Sequence, residues 1–299
     1  MKYSYLAFSL LRSKWFMHPQ IALSQGRFVA SILAGDQFDF EKDPISLIVY
    51  SKEGSRRKLM QSEDDKVESI YDHAPEGSVA VIPIKNQMLK EDSLSSYGTE
   101  TMSQFLREAA DHKNIAAAIM DFDTGGGSVD SIPPVLDAIR YAQQVMPVIG
   151  MADMAASAGY YSIAATDLVV AGNDISSEFG SIGVMMSFAD VRPAWEKEGV
   201  VFHTIYAPES NYKNLPFEKA LKGEYDLIKK EELSPLARKF QTDVRNFRGG
   251  KIKLTEKGIL NGRMFYAKDA IKVGLADEIG NLDYAVERAL DMAKNFKSK

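Results

Sequence analysis

Cysteine is absent from the 299 residues of this chain, which excludes disulfides, thiolate metal sites and a cysteine nucleophile together. Histidine is scarce: His18, His73, His112 and His203 stand apart, without the His-x-x-x-His spacing of a metal-binding helix, so no metal or cofactor is expected. Long hydrophobic runs are missing as well. The run from Tyr3 to Leu11 falls far short of the roughly 20 apolar residues that span a bilayer, and no small-residue cleavage site follows it. A surplus of positive charge is also lacking. The formal net charge of −5 argues against a nucleic-acid partner, which would need basic residues to neutralise phosphates. These absences lead to the expectation of a soluble cytoplasmic protein without an integral membrane span.

What is present is ordinary globular composition, 45% hydrophobic and 26% charged, in a chain long enough for one large or two modest domains. Residues 1–75 read as an N-terminal arm. They hold a mixed helix candidate around 21–34 and a charged connector over 51–72 that includes Arg56, Arg57 and Lys58. From 76 to 299 the pattern changes to short apolar runs alternating with amphipathic segments. The runs are 79–84, 115–120, 148–151, 168–171 and 200–206; the helix candidates between them are 101–111, 131–144 and 157–166. Such alternation predicts an α/β fold with a mostly parallel sheet. A long charged helix is expected over 218–247, broken or started at Pro235, and a last one over 283–295.

Four segments carry candidate chemistry. Asp153-Met154-Ala155-Ala156-Ser157-Ala158-Gly159-Tyr160-Tyr161 sets one serine among very small residues after an apolar run. A strand-turn-helix junction of this kind lets a carbonyl approach the hydroxyl and offers helix N–H groups to an oxyanion; close helix-strand packing is the plainer reading. Asp123-Thr124-Gly125-Gly126-Gly127-Ser128-Val129 lets backbone approach a ligand, but lacks the Gly-Lys-Ser/Thr ending or Gly-x-Gly-x-x-Gly spacing of a nucleotide loop. Gly180-Ser181-Ile182-Gly183-Val184 is a small-residue turn. Lys213 is flanked by Tyr212, Leu215, Pro216 and Phe217; a surface lysine is the default reading, yet an apolar collar is what a lysine base requires, because desolvation must offset the cost of neutralising its ammonium.

Taken in order, the Gly-Gly turn, Ala-Ser-x-Gly-Tyr-Tyr, Gly-Ser-Ile-Gly-Val, Tyr-Lys, Gly262-Arg263-Met264-Phe265 and the stretch 270–280 resemble the signal peptide peptidase A family of serine peptidases, in its single-copy form. The resemblance implies a ClpP/crotonase-type βα spiral. It makes Ser157 the nucleophile and Lys213 the general base, with Ser181 orienting the lysine and the N–H groups of Gly126 and Ala158 forming the oxyanion hole. It also implies a homo-oligomeric ring in which Ser157 and Lys213 come from neighbouring copies, acting on peptide or protein substrates. The family's usual Ser-Pro-Gly-Gly lead reads Thr124-Gly125-Gly126-Gly127 here. The segment around Leu10-Leu11-Arg12-Ser13-Lys14-Trp15 is similar to the arm of phage capsid maturation proteases of this family, which places the expected substrates among capsid or scaffold proteins in proheads.

Other readings stay open at this level: a signal-peptide or general peptide-degrading peptidase, a crotonase-type acyl-CoA enzyme that needs neither Ser157 nor Lys213, and a catalytically silent ring-forming protein. His203 as a triad histidine and Asp153 as an orienting carboxylate are weaker candidates than a packed histidine and a solvated strand end.

Overall fold

The computed structural model describes residues 15–17, 45–60, 69–93, 96–188, 190 and 192–296; the apolar run 3–11 and the helix candidate 21–34 lie outside them. A short strand β1 (Trp15–Met17) is followed by the hairpin strands β2 (Ser46–Tyr50) and β3 (Arg56–Met60). Then come β4 (Ser78–Lys85), α1 (Thr99–Asp111), β5 (Ile115–Thr124), β6 (Gly126–Ser128), α2 (Ile132–Ala142), β7 (Val148–Ala156), α3 (Ala158–Ile163), β8 (Leu168–Ala171) and β9 (Glu178–Gly180). The chain continues through α4 (Arg192–Lys197), α5 (Leu215–Leu221) and α6 (Ser234–Arg248). It ends with β10 (Met264–Tyr266), α7 (Ala267–Val273), β11 (Glu278–Ile279) and α8 (Leu282–Lys294).

The main sheet runs β10-β9-β7-β5-β4-β2-β3, with β8 on β7 and β11 on β8. Its centre is parallel, as β4, β5, β7, β8 and β9 are joined by helical or looping crossovers. Successive side chains of a strand point to opposite faces. Ala80, Ile82, Ala118 and Met120 enter one core, and Val79, Val81, Ala117 and Ile119 enter a second core closed by Ala285, Val286 and Ala289 of α8. Burial on both faces is the reason these strands read as near-continuous apolar runs. The expected α/β architecture with a mostly parallel sheet is therefore present, and no helix among the described residues is long and apolar enough to cross a membrane.

Three segments differ from expectation. Within the N-terminal segment 1–75, β2 pairs antiparallel with β4 and with β3, so residues 46–60 extend the main sheet. Their charges hid the strand: Arg56, Arg57 and Lys58 face solvent and Leu59 alone of β3 is buried. The run 200–206 is not a strand. It joins no ladder among the described residues and is exposed along its length, with Val201 at 72% and Ile205 at 92%; apolar composition without a partner edge makes no ladder. The helix expected over 218–247 is broken after α5 at Gly223, whose φ is +81°, and it resumes through a π-helical turn, Lys229–Leu233, before Pro235 in the first turn of α6.

One buried ion pair joins the end of α6 to the sheet. Arg248, 3% exposed, grips Asp277 with two hydrogen bonds of 3.0 and 2.8 Å and donates a third to the Gly274 carbonyl at 2.9 Å. Asp277 also accepts from the Val169 N–H of β8 at 2.9 Å. Burial alone would raise the Asp277 carboxyl; the hydrogen bonds from Arg248 and Lys251 outweigh it and hold the group below the ordinary carboxylate range. A depressed carboxyl contributes stability above its unfolded value and loses it as pH falls through the folded one. Asp277→Asn is therefore expected to cost about 3–5 kcal/mol at pH 7, where it strands Arg248. Its penalty should shrink as pH falls below about 3.9, measured as urea midpoints of both proteins at pH 7 and pH 3.

Candidate active site

Ser157 joins β7 to α3 with φ 55° and ψ −113°, a region that a residue with a side chain enters only at a cost of about 1–3 kcal/mol. The surroundings hold it there. Its N–H donates to the Gly180 carbonyl of β9 at 2.9 Å, and its carbonyl accepts from the Tyr161 N–H at 2.9 Å. The strand itself forks to make this possible. Residues 149–152 of β7 pair with β8, whereas Met154, Ala155 and Ala156 pair with β9. Asp153 sits at the fork, exposed, accepting from Asn173 Nδ2 at 3.1 Å and making no bond to Ser157.

The two tyrosines that follow, Tyr160 and Tyr161, pin α3 from both sides. The Tyr160 hydroxyl donates to the Leu275 carbonyl at 3.0 Å. The Tyr161 hydroxyl donates to Asp243 of α6, whose other oxygen takes Lys239 Nζ at 2.7 Å, and its ring stacks on Phe240 with centroids 4.5 Å apart. Burial first, and then the bond to Asp243, push the Tyr161 hydroxyl well above the usual tyrosine range, so it remains a donor. Small residues are needed beneath: a Cβ on Gly159 would lie 2.5 Å from Thr124 Cγ2. That contact sets the Ser157 turn against the glycine segment that leads into β6.

Gly126, with φ +98°, donates its N–H to Thr124 Oγ1 at 3.0 Å, and the Thr124 hydroxyl in turn donates to the Asn86 carbonyl. Ala158 is the first residue of α3, where an N–H has no acceptor within the helix. Ser181, buried and with φ 54°, donates its N–H to the Arg263 carbonyl at 3.1 Å. Its hydroxyl has no hydrogen-bond partner among the described residues. The following Gly183 carbonyl accepts from Ser157 Oγ at 3.5 Å, the loose limit of a hydrogen bond. Ser157, Ser181, Gly126 and Ala158 thus belong to one small region: β7, β9 and the β5–β6 turn converge on it.

Lys213 does not join them within this chain. It lies exposed in the loop before α5, its N–H donating to the Ser210 carbonyl at 3.0 Å, and no hydrogen bond links its ammonium to Ser157 or Ser181. The apolar collar expected around it is open. Tyr212 is 54% exposed and its hydroxyl donates to Glu231 Oε1 at 2.5 Å, while Phe217 packs on Phe188. His203 is exposed on the same excursion. Sequence reasoning left Thr124, Asp243 and Leu275 without a role. A hydroxyl residue directly before three glycines was a visible sign of the first; the other two are distant in sequence and left none.

Residues 140–296 match the family model for peptidase family S49. Protease 4 of Haemophilus influenzae is 25% identical over 71% of this chain, and capsid assembly protease C of Escherichia phage lambda is 26% identical over 80% of it. The chain spans 34% and 55% of the length of these two relatives. Among solved structures, the 1510-N membrane-bound stomatin-specific protease is similar at a TM-score of 0.41 and 17% identity, covering 72% of this chain and 85% of that one.

The contact between Gly159 and Thr124 can be tested as a pair. Gly159→Ala is expected to destabilise the protein by about 1–3 kcal/mol through overpacking. Thr124→Ser removes Cγ2 but keeps the hydroxyl, so the double variant should recover most of the loss in a thermal or urea melt.

Proposed function

The chain belongs to peptidase family S49, and on that premise we propose that it is a serine endopeptidase with Ser157 as nucleophile and Lys213, from a neighbouring copy, as general base. The observation that carries this reading is the backbone of Ser157. A strained strand-to-helix turn, backed by glycine and alanine, is how a nucleophilic serine is mounted, and nothing about packing alone requires a serine in that conformation; Ser157 is 1% exposed in the single chain, so a substrate carbonyl must open its surroundings to reach the hydroxyl.

In the proposed reaction Lys213, in its neutral form, takes the Ser157 proton while Oγ attacks the peptide carbonyl. The oxyanion accepts from the Ala158 N–H and from the Gly126 N–H, which leaves Thr124 Oγ1 to do so. Lys213 then gives the proton to the departing amine, and the acyl-serine is hydrolysed when Lys213 takes a proton from water and returns it to Oγ. Ser181 accepts or donates to the amine and keeps it aimed. A lysine acts as a base only when desolvated, and an exposed loop does not supply that.

Association supplies it in this reading. The excursion that carries Lys213 presents Trp195 at 46%, Val201 at 72% and Ile205 at 92% exposure, large apolar side chains of the kind that another molecule can cover. A second copy covering it would bury the lysine and bring it to the neighbour's Ser157, in a closed ring. The substrates proposed are capsid or scaffold proteins, in line with the similarity to capsid assembly protease C over 80% of this chain; their cleavage in proheads would follow.

Ser157→Ala and Lys213→Ala are each expected to lower cleavage of unfolded casein by about 10³-fold or more. Co-expressed, the two inactive variants should recover about one quarter of wild-type activity, the statistical share of interfaces with both groups intact. No recovery from an assembly shown by light scattering to be mixed would exclude the two-copy site.

A further inference from the structure

Strand β6 has two edges, and the chain fills both. On the inner edge Met88 donates its N–H to the Gly126 carbonyl and accepts from the Ser128 N–H, both at 3.0 Å. Alternate residues along a strand turn their N–H and C=O to opposite edges, so those of Gly127 face the outer one. There β1 lies antiparallel, with Met17 opposite Gly126, Phe16 opposite Gly127 and Trp15 opposite Ser128. This pairing is a two-stranded sheet of its own, separate from the main sheet.

The outer edge starts at Gly126, beside the turn that holds Ser157, because Gly159 packs on Thr124. An extended peptide that gave its carbonyl to Ser157 would find main-chain hydrogen bonds on that edge. Direction matters as much as place. Since β1 runs antiparallel and ends at Gly126, its C-terminal end is the one nearest the nucleophile, the orientation of the acyl half of a substrate.

We propose that β1 is a tethered strand that occupies the substrate edge of β6 and must be displaced before a peptide can bind. The inference rests on the peptidase reading for the identity of the edge, and on the β1–β6 ladder for its occupant. A covalently attached strand competes at an effective concentration far above that of a free peptide, yet a ladder of three residues is short enough to exchange. The arm thereby raises the substrate concentration needed for half-maximal rate and leaves the chemistry at Ser157 unchanged.

Proline at position 16 removes the N–H that faces Gly127. The probe is a fluorescein-labelled peptide of residues 13–20, added to full-length protein carrying Ser157→Ala so that no turnover intervenes. The Phe16→Pro form of that protein is expected to bind the peptide about 10-fold more tightly or better, and its Gly127 amide to exchange faster with deuterium before peptide is added. Phe16→Ala, which keeps the N–H, should behave as the parent does. On the Ser157 background, Phe16→Pro should lower KM for unfolded casein several-fold with kcat little changed. Unaltered affinity together with unaltered Gly127 exchange would overturn the proposal whatever the activity. Tighter peptide binding with no casein cleavage by any form would leave the tethered strand standing and remove the peptidase reading instead.

Discussion

The backbone of Ser157 is the constraint around which the rest of the molecule is arranged. A serine at φ 55° is unfavourable on its own, so its surroundings must over-determine it. They do so from three directions: the Gly180 carbonyl of β9 below, Leu275 through Tyr160, and Asp243 of α6 through Tyr161. Gly180 and Leu275 lie nearly a hundred residues apart in sequence. The fork in β7 belongs to the same arrangement, because a strand that kept β8 as its neighbour to the end would not have Gly180 beside Ser157. Gly180 is itself at φ +133°, where an added Cβ would lie 2.3 Å from the Arg263 carbonyl, so the support is as tightly specified as the serine.

The glycine segment bears a different load. Thr124 uses one hydroxyl to hold the Gly126 N–H and to reach the Asn86 carbonyl, while its methyl meets Gly159. One side chain thus ties the end of β4, the start of β6 and the first turn of α3. Hydrogen bonding from Thr124 stiffens a turn that has no proline, and it keeps the Gly126 N–H occupied.

The central strands were readable from sequence because burial on both faces leaves a continuous apolar run, and the turns after β7 and β9 because small residues cluster where backbone must pass close. That Ser157, Gly126 and Ser181 sit in such turns was readable for the same reason. The strands β2 and β3 were obscured, since an edge strand is covered less completely than a central one and Arg56, Arg57 and Lys58 are all exposed there. The run 200–206 misled in the opposite sense: hydrophobicity marks a surface that needs covering, and a strand, a core or another molecule can each supply the cover. The setting of Lys213 was beyond reach, because a collar that does not close within one chain leaves no local pattern to read.

The charged edge of β3 has a bearing on how copies of this chain can meet. The main sheet ends there with no further strand paired among the described residues, and an open edge invites end-to-end pairing. Three consecutive cationic side chains repel a like edge, so the sheet does not propagate from molecule to molecule. The open edge is thereby kept from serving as a template for a fibre.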